Sequence, residues 1–157
     1  MNIVSAGIAS LAVALAMPAD AQLLAHKDLW LATATTAADT CKSQGYRVSV
    51  SVVGRTGEPL VQLRGDDASP HTLDFSRRKA FTARTFRVAS GEIANRFKQD
   101  PAYFAVHVPD TVPSQGALPI NIGEEVIGEV GVSGAPGGDK DEACAKAGLD
   151  KVADQLK

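Results

Sequence analysis

Hydrophobic positions recur at regular intervals along the first half of the chain, and their periods predict a helix followed by a hairpin. Over residues 26–43 an apolar residue returns every three or four positions, which is typical of one buried helix face. Apolar and polar residues then alternate strictly over 46–53, which predicts a strand. A glycine-bounded turn at 54–57 and a second strand over 60–64 complete the hairpin.

The rest of the chain predicts two further helices, a second hairpin and a closing helix. Ser69 is expected to be the N-cap of a second helix that has Pro70 at its first position and reaches about Phe86. The remaining pattern predicts, in order, a short helix over 91–98 with Ser90 as its N-cap, an irregular proline-containing segment over 99–115, strands over 117–122 and 126–132, and a closing helix over 140–157.

Two hairpins separated and flanked by helices predict an α+β sandwich, in which an antiparallel sheet is covered by helices. In this arrangement the first and last helices are expected to pack together. Cys41 ends the apolar stripe of the first helix, and Cys144 begins that of the last. Gly148, one turn after Cys144, would let the two helices approach closely.

An apolar segment at residues 3–16 is too short to span a bilayer and precedes the small-residue pair Ala19-x-Ala21. This pattern predicts a signal peptide over 1–21 and a single domain over 22–157. We therefore expect a periplasmic or secreted protein with no membrane span after cleavage. In such a compartment Cys41 and Cys144 are predicted to form a disulfide, the alternative being two buried free thiols.

The overall charge argues against nucleic acid as a partner. The 157 residues carry a formal net charge of −2 at pH 7, with no basic tail or repeat. The sequence contains no HExxH, CxxC or nucleophile-elbow motif. These observations favour a small-molecule binding protein over an enzyme.

The glycine-rich stretch VSGAPGGDKDEACAKAGL, residues 132–149, allows two interpretations: a phosphate cradle or a capped helix start. A Walker loop would need Gly-Lys-Ser/Thr, which is absent. Asp139, Asp141 and Glu142 also stand in the first helical turn, where their charges complement the helix dipole and would repel phosphate. We therefore expect a capped helix, with Asp139 and Glu142 at capping-box spacing.

The second helix carries the candidate binding residues. One face combines an imidazole for iron, an aromatic ring for stacking and cations for propionates, which together suit a haem site. The same residues suit an organic carboxylate, and a solvent-exposed helix face with a terminal histidine would also explain them. His107 and His26 are weaker candidates. The candidate residues are His71, Phe75, Arg78, Lys79 and Thr82, with His71 as the metal ligand.

Four segments of the chain resemble the GlcG/HbpS haem-binding family, which is related to the C-terminal domain of PduO-type proteins. They are YRVSVSVV at 46–53, SRRKA at 76–80, VIGEVGVSGAPGG at 126–138 and DEACA at 141–145. The resemblance implies a profilin-like fold with about five antiparallel strands, homo-oligomers and haem as ligand, with cobalamin a less favoured cofactor. It also implies haem or redox sensing, or haem sequestration, but no invariant iron ligand.

Two functional hypotheses follow. The first is an exported haem (tetrapyrrole)-binding protein in which His71 is the axial ligand and Arg78 or Lys79 contacts the propionates. The alternative is an enzyme or accessory protein of a catabolic pathway that binds an organic carboxylate through Arg77, Arg78 or Arg84.

Overall fold

A computed structural model describes residues 19–100, 102–103 and 108–157, with side chains described from Asp28 onward. Residues 1–18 of the predicted signal peptide, His107 and the side chain of His26 lie outside this described part. The described elements are α1 (Ala19–Ser43), β1 (Ser49–Val53), β2 (Pro59–Arg64), α2 (Thr72–Phe86), α3 (Ser90–Gln99), β3 (Ala117–Ile122), β4 (Glu125–Ser133), α4 (Gly138–Val152) and a short 3₁₀ helix (Ala153–Leu156).

The four described strands form one antiparallel sheet in the order β2-β1-β4-β3, which confirms the predicted α+β architecture. The expectation of about five strands is corrected to four among the described residues. Residues 108–115 follow α2 instead of joining the sheet, because the Val112 N–H donates to the Thr82 hydroxyl (2.7 Å). Within residues 108–115 the backbone forms local turns instead of pairing with a strand. One such turn is closed by the hydrogen bond from the Thr111 N–H to the Val108 carbonyl.

The main hydrophobic core lies between the sheet and the pair α1 and α4. Val48, Val50 and Val52 all point into this core, as the alternation predicts. β1 begins at Ser49 rather than at Tyr46. The Val48 carbonyl accepts the Gly65 N–H just outside the residues that pair between β1 and β2. The central strand β4 adds Val130 to the same core.

On the opposite face of the sheet, α2 lies unusually close to the strands because the facing residues are small. The hydroxyl groups of Ser51 and Ser76 bond across this contact at 2.8 Å. A Cβ atom added at Gly131 of β4 would lie 2.3 Å from the Ser76 carbonyl oxygen. Small residues on both sides are therefore what lets α2 settle onto the sheet.

The helices α1 and α4 are joined as predicted. Cys41 and Cys144 form a disulfide with their Cα atoms 5.6 Å apart, and both residues are fully buried. Close helix contact is confirmed at Gly148, where an added Cβ would meet the Thr33 carbonyl oxygen at 2.4 Å.

Three predicted helix starts differ from the structure, and in two of them the expected cap residue makes another contact. The Ser69 carbonyl accepts the Thr72 N–H in a turn, and α2 begins at Thr72, two residues later than expected. Ser90 lies inside α3, and its hydroxyl accepts the Ala117 N–H of β3. The predicted capping box of α4 is also absent: Gly137 is the N-cap, with no side-chain cap bond.

Removing the disulfide is expected to destabilise the protein by about 4 kcal/mol, since the bridge closes a loop between residues 103 apart. Urea unfolding of Cys41→Ala/Cys144→Ala against the oxidised wild type measures this loss. Reduced wild type is the control that separates loop closure from lost sulfur packing. Equal unfolding free energies for oxidised and reduced wild type would contradict the stabilising role of the bridge.

Candidate functional site

The α2 face begins with an accessible imidazole beside an aromatic ring. His71 is exposed and immediately precedes the first helical turn. Its ring meets the half-buried ring of Phe75 edge to face, with 6.3 Å between centroids. The predicted spacing therefore brings these two side chains together on an accessible surface.

Lys79 lies one turn further along α2, but it points inward and is engaged by protein groups. Its side chain is only 3% exposed. The ammonium donates to Asp141 Oδ2 at 2.7 Å and to the Val132 carbonyl at 3.1 Å, and lies 5.6 Å from the centre of the Phe75 ring. In this structure Lys79 supports the candidate face from beneath, and Asp141 already satisfies its charge.

Asp141 is the residue whose role sequence reasoning missed. The sequence predicts only a first-turn acid of α4 at this position, yet Asp141 is buried and also accepts the Ala135 N–H at 2.9 Å. Burial raises the pKa of Asp141, while the charge and hydrogen bond of Lys79 act in the opposite direction. Gly116 leaves room for the pair, because a Cβ there would lie 2.8 Å from Lys79 Nζ.

Arg78, which is half-buried, and Thr82, which is buried, both contact the segment that follows α3. Arg78 donates through Nη2 to the Thr111 carbonyl at 3.3 Å, while its Nε is buried with no hydrogen-bond partner. The Thr82 hydroxyl is used by the backbone of Val112. Arg78 is half-buried and its Nε lies inside the protein without a partner, whereas Thr82 has a structural contact.

A second buried acid, Glu129, lies on the α2 side of β4. Its side chain is fully buried, and neither carboxylate oxygen has a hydrogen-bond partner. The nearest cation is Arg84 of α2, whose Nη1 lies 3.7 Å from Oε1. Burial raises the pKa of Glu129 to about 8, against the lowering effect of Arg84. The strict alternation used for strand prediction did not identify this acid, because β4 is buried on both faces.

The described residues show neither a cluster of metal ligands nor a membrane-spanning helix. Within residues 19–100, 102–103 and 108–157 no three His, Cys, Asp or Glu side chains cluster as a set of metal ligands. None of the helices in this same part of the chain is both long enough and apolar enough to cross a bilayer.

Comparison with known proteins identifies relatives over most of the chain. The family model of haem-degrading HbpS-like proteins matches residues 24–150. HbpS of Streptomyces reticuli is 33% identical, with a TM-score of 0.74 covering 94% of this chain and 97% of that one. An uncharacterised 15.0 kDa protein of Citrobacter freundii is 31% identical over 76% of this chain and 89% of its own length.

A third likeness concerns the fold alone. The PduOC:Heme complex matches with a TM-score of 0.72 and 20% identity, covering 79% of this chain and 91% of that one. It shows that the same fold occurs in a protein crystallised with haem.

The role of the buried ion pair can be tested by removing one partner and then replacing both. Asp141→Asn is expected to cost about 3–5 kcal/mol of unfolding free energy, because it leaves the Lys79 charge buried and unpaired. Lys79→Met/Asp141→Leu should recover part of that loss. Asp150→Asn breaks the exposed pair with Lys146 and serves as the control, with an expected cost below about 1 kcal/mol. Equal costs for Asp141→Asn and Asp150→Asn would contradict the anchoring role.

Proposed function

Because the chain belongs to the HbpS-like family, we propose that it binds haem on the α2 face formed by His71, Phe75 and Arg78. The family match over residues 24–150 carries this proposal, and the local geometry supports it. His71 is accessible to iron, Phe75 offers a ring beside it, and Arg78 brings a half-buried guanidinium on the same helix.

Each side chain has a distinct role in this proposal. The His71 imidazole would bind the iron, the Phe75 ring would pack against the macrocycle, and Arg78 would bind a propionate. Bound haem supplies an iron centre with redox and Lewis-acid chemistry. Lys79 acts indirectly: held by Asp141, it supports Phe75 from below and fixes α2 on the sheet.

The proposal also includes export, and haem sensing or sequestration as the biological role. The buried Cys41–Cys144 disulfide supports an oxidising compartment, in agreement with the predicted signal peptide over 1–21. We further propose a homo-oligomer. Leu31 of α1 and Leu60 of β2 are large exposed apolar side chains that a second copy would cover.

Haemin titration tests the binding proposal. Wild type should develop a shifted Soret band at stoichiometric haemin, and His71→Ala should weaken binding by about tenfold or more through loss of the iron bond. The matched controls are His107→Ala and His26→Ala, which should bind as wild type.

Arg78→Gln should weaken haemin binding but leave the binding of haemin dimethyl ester unchanged, since the ester lacks the propionate charges. Haemin binding no tighter than to an unrelated acidic protein of similar size would refute the proposed function. A loss caused by His107→Ala or His26→Ala, with His71→Ala unaffected, would refute the assignment of the axial ligand.

Export is tested by expressing the full chain in a Gram-negative host and sequencing the N-terminus of the protein recovered from each fraction. We expect a mature periplasmic protein that begins at Gln22, after the Ala19-x-Ala21 pattern. Ala21→Arg, which places a bulky charge at the predicted cleavage site, should block processing. Unprocessed protein confined to the cytoplasm would contradict export.

A further inference from the structure

A cleft with a volume of about 360 Å³ opens beside the end of α2, away from the proposed haem face. Arg84 lines this cleft, and its Nη1 also lies 3.7 Å from Oε1 of the buried Glu129. The cleft is lined by Arg55, Arg84, Arg87, Glu124, Glu125 and Val126.

The guanidinium of Arg84 is held in place by backbone groups. Its Nε donates to the Arg55 carbonyl at 2.6 Å, and its Nη1 donates to the Val126 carbonyl at 3.2 Å. The side chain is 18% exposed, so one part of it remains accessible from the cleft. A fixed guanidinium with open donors is the group that proteins use for planar, two-point recognition of a carboxylate.

Arg87 adds a second cation at a position where glycine is favoured. It follows the last turn of α2 with φ 57°, the left-handed conformation that most residues avoid at a helix end. Across the part of the chain that the structure describes, no carboxylate lies within ion-pairing distance of Arg87.

The charges around the cleft favour a single negative charge in the ligand. Arg55 is paired with Glu125 at 2.8 Å, which leaves Arg84 and Arg87 facing Glu124. The lining therefore carries one net positive charge when Glu129 is uncharged. A monocarboxylate would balance it, whereas a doubly charged phosphate would meet two carboxylates at the rim.

Glu129 determines whether the charge of Arg84 is available. β1 and β3 present Val53 and Pro119 opposite Glu129, and neither residue titrates. The charged residues of α3 are all exposed, which leaves Arg84 as the cation that acts on the buried acid. Glu58 also interacts with Arg84, but it is exposed. While Glu129 is protonated, it does not balance the positive charge of Arg84. Once Glu129 ionises, its negative charge neutralises that of Arg84.

We propose that this cleft binds a small organic monocarboxylate through Arg84 and Arg87, and that Glu129 takes up a proton from solvent as the anion binds. The bound anion and an ionised Glu129 compete for the same guanidinium, so each disfavours the other. By linkage, the anion raises the pKa of Glu129, and rising pH weakens anion binding. With the pKa of free Glu129 at about 8, affinity is highest below that pH and falls above it.

Calorimetric titration with propionate tests the proposal on the haem-free full domain, so the outcome does not depend on the proposed haem binding. Wild type should bind propionate at pH 6.5 and about tenfold more weakly at pH 9.5. That difference is expected if bound propionate raises the pKa of Glu129 by about one unit. Glu129→Gln should bind with equal affinity at both pH values, because the amide mimics the protonated acid. Arg84→Gln should lose binding at both, and Arg96→Gln on exposed α3 is the matched control.

A measurement on wild type alone keeps the test decisive if a variant fails to fold. Titrations at pH 8.5 in two buffers of different ionisation enthalpy should reveal net proton uptake on propionate binding. Zero uptake, equal affinity of wild type at pH 6.5 and 9.5, or the absence of saturable propionate binding would each overturn the proposal. Tighter binding of inorganic phosphate than of propionate would overturn the assigned ligand class.

Discussion

The ion pair between Lys79 and Asp141 is the constraint on which the position of α2 depends. It joins α2 on one face of the sheet to the first turn of α4, whose body packs on the other face, with the Val132 carbonyl of β4 as a third partner. Burying two charges is costly unless both are satisfied, and here both have further hydrogen bonds. The pair therefore specifies one position of α2 rather than simply adding stability.

That position explains how the two proposed sites share a single helix. Near its start, α2 presents His71, Phe75 and Arg78 to solvent, while Lys79 is drawn inward beneath the ring. Near its end, Arg84 extends over the buried Glu129. Small residues at the contact with β1 and β4 bring the helix close enough for both acids to be reached.

The spacing of apolar residues predicts the features that depend on contacts between neighbouring residues of one helix or strand. The burial patterns predict the inward valines of β1 and the packing of α1 on α4, and the structure confirms both. The disulfide was expected from the pair of cysteines in an exported chain, and it is present. The wrong or missing predictions concern side chains whose partners are far away in the sequence. Ser90 bonds to β3 instead of capping α3, and Asp141 turns inward to a lysine 62 residues away. Nothing in either residue's neighbourhood along the chain distinguishes these uses from ordinary capping, and an acid such as Glu129 is unexpected on a strand buried on both faces.

A crystal structure of the haemin complex tests the central claim most directly. It would locate the macrocycle on the protein and identify the atoms bonded to iron. The account predicts haem against the exposed side of α2, with a bond from the His71 imidazole to iron, Phe75 against the macrocycle and a propionate at Arg78. Haem bound on another surface, or iron ligated there by another residue with His71 left in solvent, would contradict it.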